Sequence, residues 1–162
     1  FERLRAYYED KNVRIDTYLA VAKLAPSKPL DFDKRIKAVE HFRQLPAANS
    51  LAAANKRVSN IIDKQSLATS QKVDTSLLTE ASEITLHAHL NRLIEQLEPL
   101  LEKRDYQGAL TLLASLQEPI DQFFDNVMVM ADDPAVKQNR ILLLSGLRQL
   151  FLKIADISLL NG

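Results

Sequence analysis

Asn55, Lys56, Arg57, Asn60 and Lys64 crowd into about three helical turns and combine two kinds of group. Lysine and arginine neutralise phosphates. Amides and the planar guanidinium can address bases that are splayed out of a stack. Just upstream, Lys34, Arg35, Lys37, His41 and Arg43 occupy the preceding helical segment, separated from the first set by little more than the turn at Pro46. The chemistry these residues suit is the gripping of RNA. The plainer alternative is a helix hairpin whose charges only meet water.

Other chemistries find little support. His87 and His89 lie two apart, about 200° around a helix, so they cannot chelate one metal, and His41 is isolated. No H-E-x-x-H and no adjacent His-Asp pair occurs, which leaves no zincin or phosphohydrolase signature. Asp121 and Asp125 share a face at i, i+4, with Asp132 and Asp133 soon after, but capping accounts for the latter two and solvation for the former. There is no G-x-S-x-G, no S-x-x-K and no glycine-rich phosphate loop, and only 3 glycines are present to build one. Gly108 falls inside a helix pattern, where close helix packing is the expected reason. No self-contained active site or bound cofactor is therefore expected within these residues.

The charge distribution points to the same region. The net charge is zero, yet residues 28–72 hold 9 basic and 4 acidic side chains (+5), whereas 73–133 hold 3 basic and 12 acidic (−9). Residues 1–27 and 134–162 carry +1 and +3. A basic stretch in a neutral chain is the footprint expected of a polyanion-binding surface. The absence of cysteine removes disulfides, thiolate metal sites and thiol nucleophiles, and fits a cytoplasmic location. No segment approaches the roughly 20 apolar residues of a membrane span, so no membrane partner is expected. The first ten residues already read as helix and do not begin with Met, so a fragment of a longer polypeptide is expected.

The elements that must position these groups are helices. Leu and Ala dominate, and no long alternating run of β-branched residues occurs. The pattern predicts short helices over 1–10 and 16–24, interrupted at Lys11-Asn12. After Pro26 and Pro29 comes a helix to about Leu45, capped by Asp31 or Asp33, with Phe32, Ile36, Val39 and Phe42 as its apolar stripe. A basic helix over 47–63 buries Leu51, Ala54, Val58 and Ile61. Residues 65–76 read as a loop. A long acidic helix is predicted over 77–103, with a kink at Pro99. Asp105 caps the next, to about Leu116, and Glu118-Pro119 opens another. Asp132-Asp133-Pro134 starts the last helix, expected to run to about Leu159. The fold class is all-α: a helical bundle with short N-terminal helices, divided as 1–46 leading into the module and 47–162 forming it.

Several stretches resemble one family. Ala52-Ala-Ala-Asn-Lys-Arg-Val-Ser-Asn-Ile61, Pro29 to Phe42, Phe123-Phe-Asp-Asn-Val-Met-Val-Met-Ala131, Asn139-Arg140 and Ile154 to Leu160 are similar to the C-terminal region of the bacterial glycyl-tRNA synthetase beta subunit. That region is in turn similar to the DALR-type anticodon-binding bundle of arginyl-tRNA synthetase, in which a short basic helix opens the bundle; residues 55–61 look like its counterpart. The four-letter signature itself is not present here. The resemblance implies tRNA binding through the anticodon arm of glycine tRNA. It also implies catalysis elsewhere, with ATP and Mg2+ used by the holoenzyme, and partners in the remainder of the beta subunit and an alpha subunit within a heterotetramer. On that footing Asn55, Arg57 and Asn60 are expected at base edges and Lys34, Lys37, Lys56 and Lys64 at phosphates. Arg35 and His41 lie beside them, and Lys137 and Arg140 would form a second wall. The rival reading is a structural module that docks against other synthetase domains without touching tRNA.

Overall fold

The computed structural model describes residues 2–65 and 72–161. Eight α-helices and three short 3-10 turns account for the regular structure of these residues, and no strand occurs among them. The helices are α1 (Glu2–Asp10), α2 (Ile15–Ala22), α3 (Pro29–Arg43), α4 (Ala48–Lys64), α5 (Ala81–Glu102), α6 (Tyr106–Leu113), α7 (Gln117–Asn126) and α8 (Pro134–Leu152). The 3-10 turns span Thr75–Leu77, Ala114–Leu116 and Ile157–Leu159. Of the loop expected over 65–76, residues 66–71 lie outside the described residues.

Apolar spacing sets which face each helix buries. In α3, Phe32, Ile36, Val39 and Phe42 are buried as their 3.6-residue period requires. This helix packs chiefly on α6, while α4 packs on α8 and on the Ile157–Leu159 turn, and α5 packs on α6 and α7. Buried side chains from Tyr8 through Phe32, Leu97 and Phe123 to Leu160 form one continuous core. Tyr8, Tyr18 and Phe32 cluster within it at centroid separations of 5.5 to 6.2 Å.

Helix ends depart from expectation where a polar partner decides them. Asp31 and Asp33 are not caps: α3 starts at Pro29, whose missing N–H is not needed at that position, and the two carboxylates pair with Arg35 and Lys37 one turn on. The acidic helix begins at Ala81 rather than 77, because Glu80 and Glu83 form a reciprocal capping box. Asp105 and Asp133 do cap α6 and α8 as expected, accepting from the Gly108 and Ala135 amides. The space beside Gly108 is filled by that cap, since a Cβ there would collide with the Asp105 carboxylate; a neighbouring helix is not the reason. At the end of α5, Arg104 takes φ +57°, and the amides of Arg104 and Asp105 bond back to Leu101 and Leu100 in a Schellman arrangement.

The last helix stops at Leu152, short of the expected Leu159. Asp156 turns the chain: its carboxylate accepts from both terminal nitrogens of Arg148 at 3.1 and 3.2 Å and from the Ser158 amide at 3.1 Å. The segment that follows is fastened to the N-terminal helices. The Asp156 amide bonds to Ala20 O at 2.8 Å, and the Asn161 amide bonds to the Asp16 carboxylate at 2.8 Å.

Candidate nucleic-acid interface

The Ala-rich stretch 48–64 folds as α4 and turns Leu51, Ala54, Asn55 and Val58 inward. Lys56, Arg57, Asn60 and Lys64 recur one and two turns apart on the opposite side and are exposed. Together with Met130, from the segment between α7 and α8, they line a groove of about 370 Å³. No carboxylate belongs to that lining. Lys56 reaches a neutral amide, Asn161 Oδ1 at 3.3 Å, and pairs with no carboxylate among the described residues. Arg57 lays its guanidinium over the Phe124 ring, 4.2 Å from the centroid, which fixes the orientation of the plane without neutralising it.

The remaining expected site residues fall elsewhere. Lys34 is exposed, Lys37 pairs with Asp33 at 3.0 Å, and His41 is half-buried on α3. Arg35 is engaged internally. It pairs with Asp31 at 2.9 Å, lies over the Tyr106 ring at 4.3 Å, and donates to the carbonyls of Lys153 and Ile154 where α8 ends. Tyr106 in turn donates to Asp31. Burial pushes the Asp31 carboxyl up, but the bonds from Tyr106 and Arg35 and the nearby positive charges outweigh it, holding the group below the usual carboxylate range.

Asn55 is buried, and its amide nitrogen donates to Leu51 O at 2.9 Å. Arg140 is buried as well: one arm pairs with Glu83 at 3.0 Å and the other donates to Met128 O at 2.6 Å. Lys137 is half-buried at the start of α8. Four of the eleven expected residues thus converge in one groove, and Met130 joins them without having been foreseen. Its only signal in sequence was the alternation Val127-Met128-Val129-Met130 beside a cap-proline stop.

A larger hollow of about 560 Å³ lies between the end of α4, α5 and α8, walled by Leu90, Ile94 and Leu143 with His87, Asn91 and Gln149 at its edge. None of the eleven expected residues lines it. Among the described residues no group of three or more histidines or carboxylates is placed to hold a metal ion, and no helix is long and apolar enough to cross a membrane.

A family model described as the DALR anticodon binding domain matches residues 51–160, which include the groove-forming face of α4 and all of α5 to α8. The chain belongs to the DALR anticodon-binding domain family. It is 58% identical over 159 residues to the glycine–tRNA ligase beta subunit of Shewanella sp. (strain W3-18-1), and equally so to that of Shewanella putrefaciens. With the beta subunit of Marinobacter nauticus it shares 56% over 160 residues. These alignments cover 98% of the chain and 23% of each relative, so the chain spans about a quarter of the length of the curated relatives it matches. The all-helical DALR-type fold and the glycyl-tRNA synthetase resemblance read from the sequence both hold.

Proposed function

We propose that this DALR domain docks the anticodon arm of glycine tRNA along α4, so that the remainder of a glycine–tRNA ligase can aminoacylate the tRNA. One observation carries the reading: Lys56, Arg57, Asn60 and Lys64 share a groove that contains no carboxylate, on the helix that opens the family match. The relatives' name supplies the amino acid. Glycine codons begin with two guanines, so the anticodons share two cytosines in a single-stranded loop. Lys56 and Lys64 suit phosphates; Arg57 and Asn60 suit base edges. Arg35, Asn55 and Arg140 serve the domain from inside, and Lys34, Lys37, His41 and Lys137 would at most extend the field around the groove.

Aminoacylation, with ATP and Mg2+, would be carried out by the larger enzyme in the cytoplasm. The relation of the DALR domain to the rest of a beta subunit and to an alpha subunit in a heterotetramer belongs to the same proposal. A second reading, assembly, draws on Ile84 and Ile94, which are 51% and 48% exposed on the acidic α5 and offer an apolar contact to another synthetase domain.

Titration with a glycine anticodon stem-loop, and with one whose two cytosines are replaced, tests the proposal. The intact loop should bind at least about tenfold more tightly, since each base read directly contributes about 1–3 kcal/mol of discrimination. Equal affinities would sink recognition of sequence. Absence of binding at moderate salt would sink RNA docking and leave assembly.

A further inference from the structure

The segment leaving α7 alternates sharply in burial. Val127 and Val129 are buried, whereas Met128 and Met130 are 68% and 44% exposed. Val127 is extended, with φ −115° and ψ 128°, so successive side chains point to opposite sides. The chain has 2 methionines, and both stand here on the outward side. The backbone is firmly held. The Val127 amide bonds to Phe123 O at 2.9 Å, and Arg140, anchored on fully buried Glu83, donates to Met128 O.

Met130 faces the cationic groove of α4, and Arg57 faces it too. One side of the Arg57 guanidinium is covered by the Phe124 ring. The residue is nonetheless exposed and lines the groove. The groove therefore offers a polarisable thioether and a flat, pre-oriented cation, with Lys56 and Lys64 beside them. Thioether sulfur makes favourable contacts with π systems, and nucleobases stack on guanidinium planes.

We infer that Met130 and the Arg57–Phe124 stack form a seat for one unpaired nucleobase, while Lys56 and Lys64 hold the flanking phosphates. The inference rests on the reading of the groove as an RNA site and adds to it a stacking contact for one base, which a duplex cannot supply because bases within it already stack on one another and have no free face. It also gives the buried Glu83–Arg140 pair a positioning role, since Arg140 holds the carbonyl two residues before Met130.

Methionine oxidation provides the test. Hydrogen peroxide transfers one oxygen to the thioether, giving the sulfoxide and water, and peptide mass spectrometry resolves Met130 from Met128. Oxidation is followed with three probes of equal length: a single-stranded RNA, a blunt RNA duplex, and a strand of abasic nucleotides. Binding of each is measured in parallel by fluorescence anisotropy. Single-stranded RNA should slow oxidation of Met130 several-fold relative to Met128, and the abasic strand and the duplex should not. Met130→Ala should weaken single-strand binding about fivefold, at the low end of the about 5- to 150-fold that one stacked base contributes; Met130→Leu should recover most of it. Circular dichroism checks that both variants keep their helix content. Single-strand binding without protection of Met130, or equal protection by the abasic strand or the duplex, overturns the seat while leaving RNA binding in place. If none of the three probes binds, the RNA reading fails and takes the seat with it.

Discussion

Helices α3 and α4 look alike in sequence, each carrying lysines and arginines around an apolar stripe, but their cations have opposite fates. In α3, Arg35 meets Asp31, Lys37 meets Asp33, and Arg43 meets the buried Asp16 at 2.8 Å while also donating to Asn161 O. Arg35 joins α3 to the end of α8, and Arg43 joins it to the C-terminal segment. Helix α4 contains a single acid, Asp63, and among the described residues none of Lys56, Arg57 or Lys64 is ion-paired. Counting cations, four in α3 and three in α4, does not separate the two helices. The carboxylates that reach α3 separate cations that hold the fold from cations left for a ligand.

The largest expected effect comes from an inward cation. Arg140→Ala would strand Glu83, which is fully buried, and removing one partner of a buried pair costs about 3–5 kcal/mol. Arg57→Ala should cost no more than about 1 kcal/mol, the worth of an exposed cation–π contact. Urea unfolding of both variants checks the contrast. Comparable losses would erase the distinction between the two kinds of cation.

Acid should act selectively on the ion-paired side of the molecule. Burial raises the Asp16, Asp31 and Asp156 carboxyls, but hydrogen bonds outweigh it in each: from the Asn161 amide and Arg43, from Tyr106 and Arg35, and from Arg148 and Ser158. The folded-state values are therefore depressed below the unfolded value of about 3.9. Such groups contribute stability that is complete above the unfolded pKa and disappears as pH falls through the folded one. The free energy of unfolding should be flat near neutrality and decline below about pH 4. Asp16→Asn should lower the plateau and shallow the decline. A wild-type profile with no decline between pH 4 and 2 would break the assignment of these pairs to stability.

Much of this was legible in sequence, and the failures share a cause. The apolar stripes placed α3, α4 and α8, and Asp105 and Asp133 marked two helix starts. The residue type of Asn55 suggests a ligand-binding amide, yet it stands four residues after Leu51 and three before Val58, on the buried stripe. Arg140 likewise stands four and seven residues before Leu144 and Leu147, in line with the core face of α8. Helical period alone would have turned both inward. Its partner was beyond reach, because Glu83 lies 57 residues away and meets it only through the packing of α5 on α8. The same holds for the groove: Met130 and α4 are brought together by tertiary packing, and no local pattern announces it.

The smallest effect separates α3 from α4 most directly. Lys56→Ala with Lys64→Ala removes two cations from the groove, and Lys34→Ala with Lys37→Ala removes two from outside it. Each phosphate contact to a single strand contributes about 0.7 to the slope of log affinity against log salt, so the α4 pair should flatten that slope by about 1.4. The α3 pair should leave it unchanged and shift affinity by no more than about twofold, as long-range field effects are screened within about 8–10 Å. Anisotropy titrations across a salt series distinguish the two. A flatter slope for the α3 pair would mean that tRNA also crosses α3, and the interface would extend beyond the groove.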